Sequence, residues 1–213
     1  MYIRDIMTTN VVTIPSSTSL AEARRIMEAH GFSRLPVVDK GKLVGMVTAR
    51  RLDQVSPSKA TSLTMWELSY LLNKTTVKEI MVRDVVTVTP DTTVEESVAL
   101  AQSHKVGALV VLEGDRVVGI STTNDLFYKM FNPILGIGEP GTRIEVDGGG
   151  EGRALEEIVS LINKRGLKIL NLHIITPPGA TEKKVVVHLG TEDVSQLVAD
   201  LDSKGYKVNE RRR

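Results

Sequence analysis

The chain repeats itself. Displaced by 74 residues, Ile80-Met81 falls on Ile6-Met7, Val85-Val86-Thr87 on Val11-Val12-Thr13, His104 on His30 and Val118-Gly119 on Val44-Gly45. Thr122 falls on Thr48 and Leu126 on Leu52, with no gap anywhere. Self-similarity at that length means two copies of one folding unit, which leaves few architectures open.

Each copy reads as strand, helix, strand, strand, helix behind a leading turn. In the first, residues 2–7 predict a helical turn and 11–14 a short strand ended by Pro15. Ser17 or Thr18 caps a helix over 20–29, where Leu20, Ala23, Ile26 and Met27 fall at helical spacing, and Gly31 stops it. Apolar runs at 35–38 and 43–47 flank a charged, glycine-bearing turn, the pattern of a hairpin, and a second helix starts at Thr48. The second copy spans 77–131, with Asp91 or Thr92 capping a helix over 94–102. Between the matched parts, Pro57 and Ser58 break any helix from Thr48. Residues 63–72, with Met65, Trp66, Leu68, Leu71 and Leu72, predict an amphipathic connecting helix in which Trp66 fills a core or an interface.

The pattern changes after residue 131. Residues 132–141, with Pro133, Gly136, Gly138, Pro140 and Gly141, read as a linker. Strands over 142–146, 167–175, 184–189 and 206–209 alternate with helices over 153–165 and 194–203, and 211–213 reads as a solvated tail. That β-α-β-β-α-β order predicts a ferredoxin-like sandwich, so the whole chain is expected to be α+β. The expected divisions are 1–76, 77–131, a linker at 132–141, and 142–213.

Composition narrows the function. A net charge of +1 provides no field to gather nucleic acid or an anionic membrane, and 4% aromatic residues leave little for base stacking on single strands. Cysteine is absent, which removes thiolate metal sites, disulfides and cysteine nucleophiles. No run approaches the length of a membrane span, and the first residues lack the apolar core of a signal peptide, so a soluble cytoplasmic protein is expected. His30, His104, His173 and His188 have no metal-ligand spacing, although His173 and His188 fall on strands expected to be neighbours. Glu95-Glu96 and Glu156-Glu157 read as solvated helix faces. No catalytic constellation stands out, and the chain is expected not to be an enzyme.

The candidate binding stretch is Gly119-Ile120-Ser121-Thr122-Thr123-Asn124-Asp125, where a strand runs into a helix start. Free backbone N–H groups there favour an anion, and a hydroxyl and a carboxylate three residues apart project from one turn. The same residues also suit a plain helix cap. The first copy keeps Gly45 and Thr48 but has Arg51 where the second has Asp125.

The doubled unit resembles a pair of CBS domains, the module named after cystathionine β-synthase, over roughly 1–131. The resemblance is carried by the Ile-Met openings, Val-Val-Thr before a proline, Arg34-Leu35-Pro36-Val37-Val38-Asp39, and Gly-x-x-Thr at Gly45 and Gly119. It implies two units packed face to face, with clefts for adenosine-containing ligands: AMP, ADP or ATP, or alternatively S-adenosylmethionine or an NAD-type molecule. On the family's Gly-x-x-Thr-x-x-Asp pattern, Gly119 and Ile120 lead into Thr122 at a phosphate and Asp125 at the ribose hydroxyls. Arg34 is implied to aim at phosphates across the cleft. Val86, Thr87, Val106, Gly107 and Ala108 are implied around adenine, and Thr48 and Arg51 form the altered first site.

The C-terminal block resembles an ACT domain, with Arg153 where that family's ligand-facing glycine is expected and Gly152 one residue earlier. CBS pair plus ACT-like domain is similar to the acetoin-utilisation protein B (AcuB-like) family. Together these imply a regulatory sensor that passes ligand binding to the ACT-like domain or to a regulated enzyme partner, and a homodimer. No catalytic cofactor, nucleic acid or membrane is implied. The alternative is a dimerisation scaffold whose clefts stay empty.

Overall fold

The computed structural model describes residues 1–55 and 64–212, and the breaker pair Pro57-Ser58 and Leu63 lie outside them. The chain divides into two compact units, Met1–Tyr128 and Lys129–Arg213. Among the described residues, no helix is long and apolar enough to cross a membrane.

The first unit holds both copies. After the turn α1 (Ile3–Ile6), helix α2 (Leu20–His30) is capped by Ser19, whose side chain accepts from the Glu22 amide at 3.2 Å, and closed by Gly31 at φ 66°. Strands β1 (Arg34–Asp39) and β2 (Lys42–Thr48) form the expected hairpin, followed by α3 (Ala49–Val55) and α4 (Met65–Lys74). The second copy repeats this as β3 (Thr87–Val88), α5 (Val94–Ser103, capped by Thr93), β4 (Ala108–Glu113), β5 (Arg116–Thr122) and the turn α6 (Thr123–Asp125). Even the irregularity in register recurs, at Val37/Val38 and at Val111/Leu112.

Each copy is completed by the other's leading segment. The Thr8 and Ile120 backbones exchange N–H···O bonds of 2.9 and 3.0 Å, and Val82 and Met46 do the same at 2.9 and 2.8 Å. Ile3 N–H donates to Thr92 and Val77 N–H to Thr18, both at 2.9 Å. Glycine is required where these segments dock. A Cβ on Gly119 would lie 2.4 Å from Met7 Sδ. One on Gly45 would lie 2.7 Å from Met81 Sδ and 2.8 Å from the Val82 carbonyl oxygen. The Ile-Met openings and the Gly-x-x-Thr glycines are therefore two halves of one packing device, with Val77 and Met81 buried in the first copy's core beside Leu35, Val37 and Val47.

Several expectations are corrected. Residues 11–14 form no strand; Ile14 makes a single parallel bridge to Val37, because Pro15 ends the run before a ladder can form. The helix caps are Ser19 and Thr93, one or two residues later than expected. Trp66 is not core filler: it is 74% exposed and stacks on Tyr70, ring centroids 5.7 Å apart.

In the second unit, the turn-rich segment after residue 131 begins with a helix, α7 (Asn132–Leu135), closed by Gly136 at φ 60°. Arg143 donates to the Leu135 carbonyl at 2.9 Å. Strands β6 (Thr142–Asp147), β7 (Ile169–Ile175), β8 (Lys184–Leu189) and β9 (Val208–Arg212) form an antiparallel sheet in the order β7-β8-β6-β9. Helices α8 (Gly152–Lys164) and α9 (Ser195–Ser203) bury Ile158, Ile162, Leu197 and Leu201 against Ile144, Val146, Val185, Val187 and Leu189. The expected tail is strand, since Arg211 and Arg212 pair with Arg143 and Thr142. Glu157 is not merely solvated: it takes a hydrogen bond from Tyr206 at 2.8 Å and pairs with Lys204, which holds its carboxyl below the usual range.

The copies differ in two buried hydroxyls and in which residues take the left-handed backbone conformation. Ser97 and Ser121, fully buried with no hydrogen-bond partner for their hydroxyls, stand at the positions of Ala23 and Val47. Lys105 takes the left-handed conformation (φ 53°) that Gly31 takes freely. Copying the first copy's residue into the second at positions 97 and 105 should stabilise the protein. Ser97→Ala is expected to add about 1–2 kcal/mol by relieving an unsatisfied hydroxyl. Lys105→Gly should add less, because glycine's unfolded-state entropy offsets the relieved strain. Gly45→Ala should cost about 1–3 kcal/mol, because its Cβ meets a backbone carbonyl that cannot move aside. Urea denaturation of each variant checks all three.

Candidate functional site

The second copy's Gly-x-x-Thr-x-x-Asp stretch forms one wall of a cleft of about 370 Å³ inside the first unit. Strand β5 delivers Ile120 and Thr122 to it, and the following turn delivers Thr123, Asn124 and Asp125. The α-helical turn is only three residues long and continues as a π-helical stretch, Leu126–Phe131.

Asp125 is held from several sides. One carboxylate oxygen accepts from the Thr122 amide at 2.9 Å and the Thr122 hydroxyl at 2.7 Å. The other accepts from the Thr8 hydroxyl at 3.1 Å. The Asp125 amide in turn donates to the Thr122 hydroxyl at 3.2 Å, closing a capping box. The Thr122 hydroxyl proton is thus spent on Asp125, and its contribution here is to orient the carboxylate. Asp125 is half-buried, so these bonds act where water screens them less.

The opposite wall comes from the first copy: Asn10, Val11, Val12, Phe32, Ser33, Arg34 and Pro36. Arg34 opens β1 with its guanidinium tucked against the second copy. A Cβ on Gly107 would lie 2.6 Å from Arg34 Nη2, so the absence of a side chain at Gly107 makes room for that cation. Arg34 Nη1 also donates to Ser33 Oγ at 3.1 Å. One cation and one carboxylate thus line a partly apolar cleft built from both copies.

The sequence-predicted residues divide accordingly. Thr122, Asp125, Ile120, Gly107 and Arg34 line this cleft. Gly119 does not line it and instead lies under Met7. Val86, Thr87, Val106 and Ala108 do not line it either: Thr87 pairs in β3, and Ala108 is buried at the start of β4. Of the positions 74 residues earlier, Val12, Phe32 and Arg34 line it in their place and Thr13 does not, while Ser33 lines it together with its own equivalent, Gly107. Sequence reasoning missed Thr8, Asn10, Val11, Val12 and Phe32. The repeat itself could have found them, had the first copy been set against the second instead of each site being assigned to one copy. Thr48 and Arg51 are not brought to this cleft. The Thr48 hydroxyl accepts from the Arg51 amide at 3.2 Å, the same cap with no carboxylate to orient, and Arg51 is exposed.

In the second unit, β7 and β8 are neighbours, but His173 pairs with Val186 and His188 with Asn171, so the two histidines sit diagonally. Among the described residues, no group of three or more His, Asp or Glu could hold a metal ion.

Comparison with known proteins agrees with this geometry. The CBS domain family model matches residues 3–56 and 77–132, just over half of the chain. An inosine-5′-monophosphate dehydrogenase of Korarchaeum cryptofilum is 35% identical over 133 residues, which cover 62% of this chain and 25% of that protein. The chain therefore matches only about a quarter of that relative's length. Among solved structures, the CBS domain pair of protein MJ0100, in complex with 5′-methylthioadenosine and S-adenosyl-L-methionine, is 29% identical with a TM-score of 0.51. It covers 62% of this chain and 96% of its own. A protein of Vibrio cholerae assigned as an acetoin utilization protein (AcuB) is 32% identical with a TM-score of 0.52, covering 62% of this chain and 91% of its own. The two-copy unit, its reciprocal docking and these matches lead to one conclusion: the chain belongs to the CBS domain family.

Proposed function

We propose that the chain is a regulatory sensor of an adenosine-type ligand, AMP, ADP or ATP in the first place, bound in the cleft between the two copies. CBS pairs are regulatory ligand-binding modules. The observation that carries the reading is the pairing, in one cleft, of a carboxylate already oriented by neighbouring hydroxyls with a cation from the opposite copy. A carboxylate can accept both hydrogens of a vicinal diol, which suits Asp125 to a ribose. Arg34 suits a phosphate, which a guanidinium binds through paired N–H donors. With the Thr122 hydroxyl committed to Asp125, the phosphate role moves from Thr122 to Arg34. Val11, Val12 and Phe32 offer apolar surface for the base.

The second unit is assigned in the same proposal to an ACT-like, ferredoxin-type domain, supported by its strand order and by two helices packed on one sheet face. Through it, or through a partner enzyme, occupancy of the cleft would be read out, and pairing of two chains would proceed through CBS or ACT-like surfaces. A ligand shifts such an arrangement only by binding its alternatives unequally.

Isothermal titration with AMP, ADP, ATP, adenosine, S-adenosylmethionine and NAD tests the reading. Asp125→Ala should weaken every ribose-bearing ligand by roughly 10- to 100-fold, as expected for loss of a hydrogen bond to a charged group. Arg34→Gln should weaken AMP by at least roughly tenfold and leave adenosine within about twofold, because only the former carries the phosphate. A ligand bound only by the native state must raise thermal stability. Unchanged melting across the whole panel would point instead to an empty-cleft scaffold.

A further inference from the structure

The leading segment does more than fill the second copy's core. Its backbone is fixed by the two hydrogen bonds between Thr8 and Ile120, and Met7 lies under Gly119. From that fixed base the Thr8 hydroxyl donates to the Asp125 oxygen that Thr122 does not hold. With donors on both oxygens, rotation of the carboxylate plane is restrained before any ligand arrives. A binding group held in its working orientation loses less entropy when it is used.

The chain carries its own control for this arrangement. At the equivalent place in the other copy, Val82 makes the same backbone exchange with Met46 that Thr8 makes with Ile120, and Arg51 stands for Asp125. Hydroxyl and carboxylate are present together in one half and missing together in the other. The backbone docking does not need the hydroxyl, since Val82 docks without one. The hydroxyl goes with the carboxylate.

We propose that Thr8 is a positioning residue for Asp125 and sets the cleft's discrimination for a complete ribose diol. The inference rests on the cleft reading above and adds to it a second residue, from the leading segment, that acts on the ligand through Asp125. Val82, lacking the hydroxyl, leaves the opposite half without the device, so discrimination of this kind belongs to one cleft per chain.

The test compares AMP with 2′-deoxy-AMP on the full chain by titration calorimetry. In Thr8→Val, AMP affinity should fall roughly three- to tenfold, the scale of one hydrogen bond, while 2′-deoxy-AMP changes less than about twofold. Thr8→Ser, which keeps the hydroxyl, should retain the wild-type discrimination. In an Asp125→Ala background, Thr8→Val should have no further effect on AMP, the non-additivity of two groups acting through one contact. Equal losses for both nucleotides would reduce Thr8 to a packing role and overturn the proposal. So would unchanged AMP binding, or tighter binding that made Thr8 a competitor. A wild-type chain that binds neither nucleotide would overturn the cleft reading and this inference with it. Binding with intact discrimination in Thr8→Val would overturn the inference alone.

Discussion

The structure of the first unit depends on two methionine side chains lying where two glycines have none. Met7 sits on Gly119 and Met81 on Gly45, each carried there by a leading segment that belongs in sequence to the other copy. Neither copy is complete alone: Val77 and Met81 close the first copy's core, while the Met1 carbonyl accepts from Val94 N–H at 3.1 Å beside the second copy's helix. Small interlocking units of this size bury too little apolar surface by themselves. Exchange of the segments makes the pair one folding body with a cleft between its halves.

Near-symmetry at the backbone makes asymmetry in the side chains informative. Caps, hairpins, register irregularities and docking bonds recur at the same offset, so a residue that differs between the halves differs against a constant background. Arg51 for Asp125 and Val82 for Thr8 remove an acceptor and its donor at one place. Ser97 for Ala23 and Ser121 for Val47 add hydroxyls to one core. The second half carries both the oriented carboxylate and two buried hydroxyls without partners.

Much of the fold could be read from the residues. Hairpins around Lys40-Gly41 and Gly114-Asp115, the helices beginning at Leu20 and Val94, and the alternation after Thr142 all follow local turn chemistry and periodicity, which depend on neighbours in the chain. What could not be read depends on distant partners. Residues 11–14 have strand composition, but only Ile14 finds a partner backbone. Arg211 and Arg212 have the composition of a tail, yet Arg143 and Thr142 offer them a strand edge. Trp66 fits an apolar pattern but lies on an exposed face. In the site, Thr122 and Asp125 were legible because their spacing along one turn fixes their relation. Arg34 was placed across the cleft, but Val86, Thr87, Val106 and Ala108, expected around the base, do not line it, because a repeat reveals which positions are equivalent and not which ones face each other.

The central claim is that a ligand's ribose is held by Asp125 in a cleft whose other wall is the first copy. A crystal structure of the chain grown with AMP tests it most directly. The account predicts ribose hydroxyls on Asp125, phosphate on Arg34, and the base against Val11, Val12 or Phe32. Nucleotide found instead beside Arg51 and Val82, or outside the first unit altogether, would contradict it.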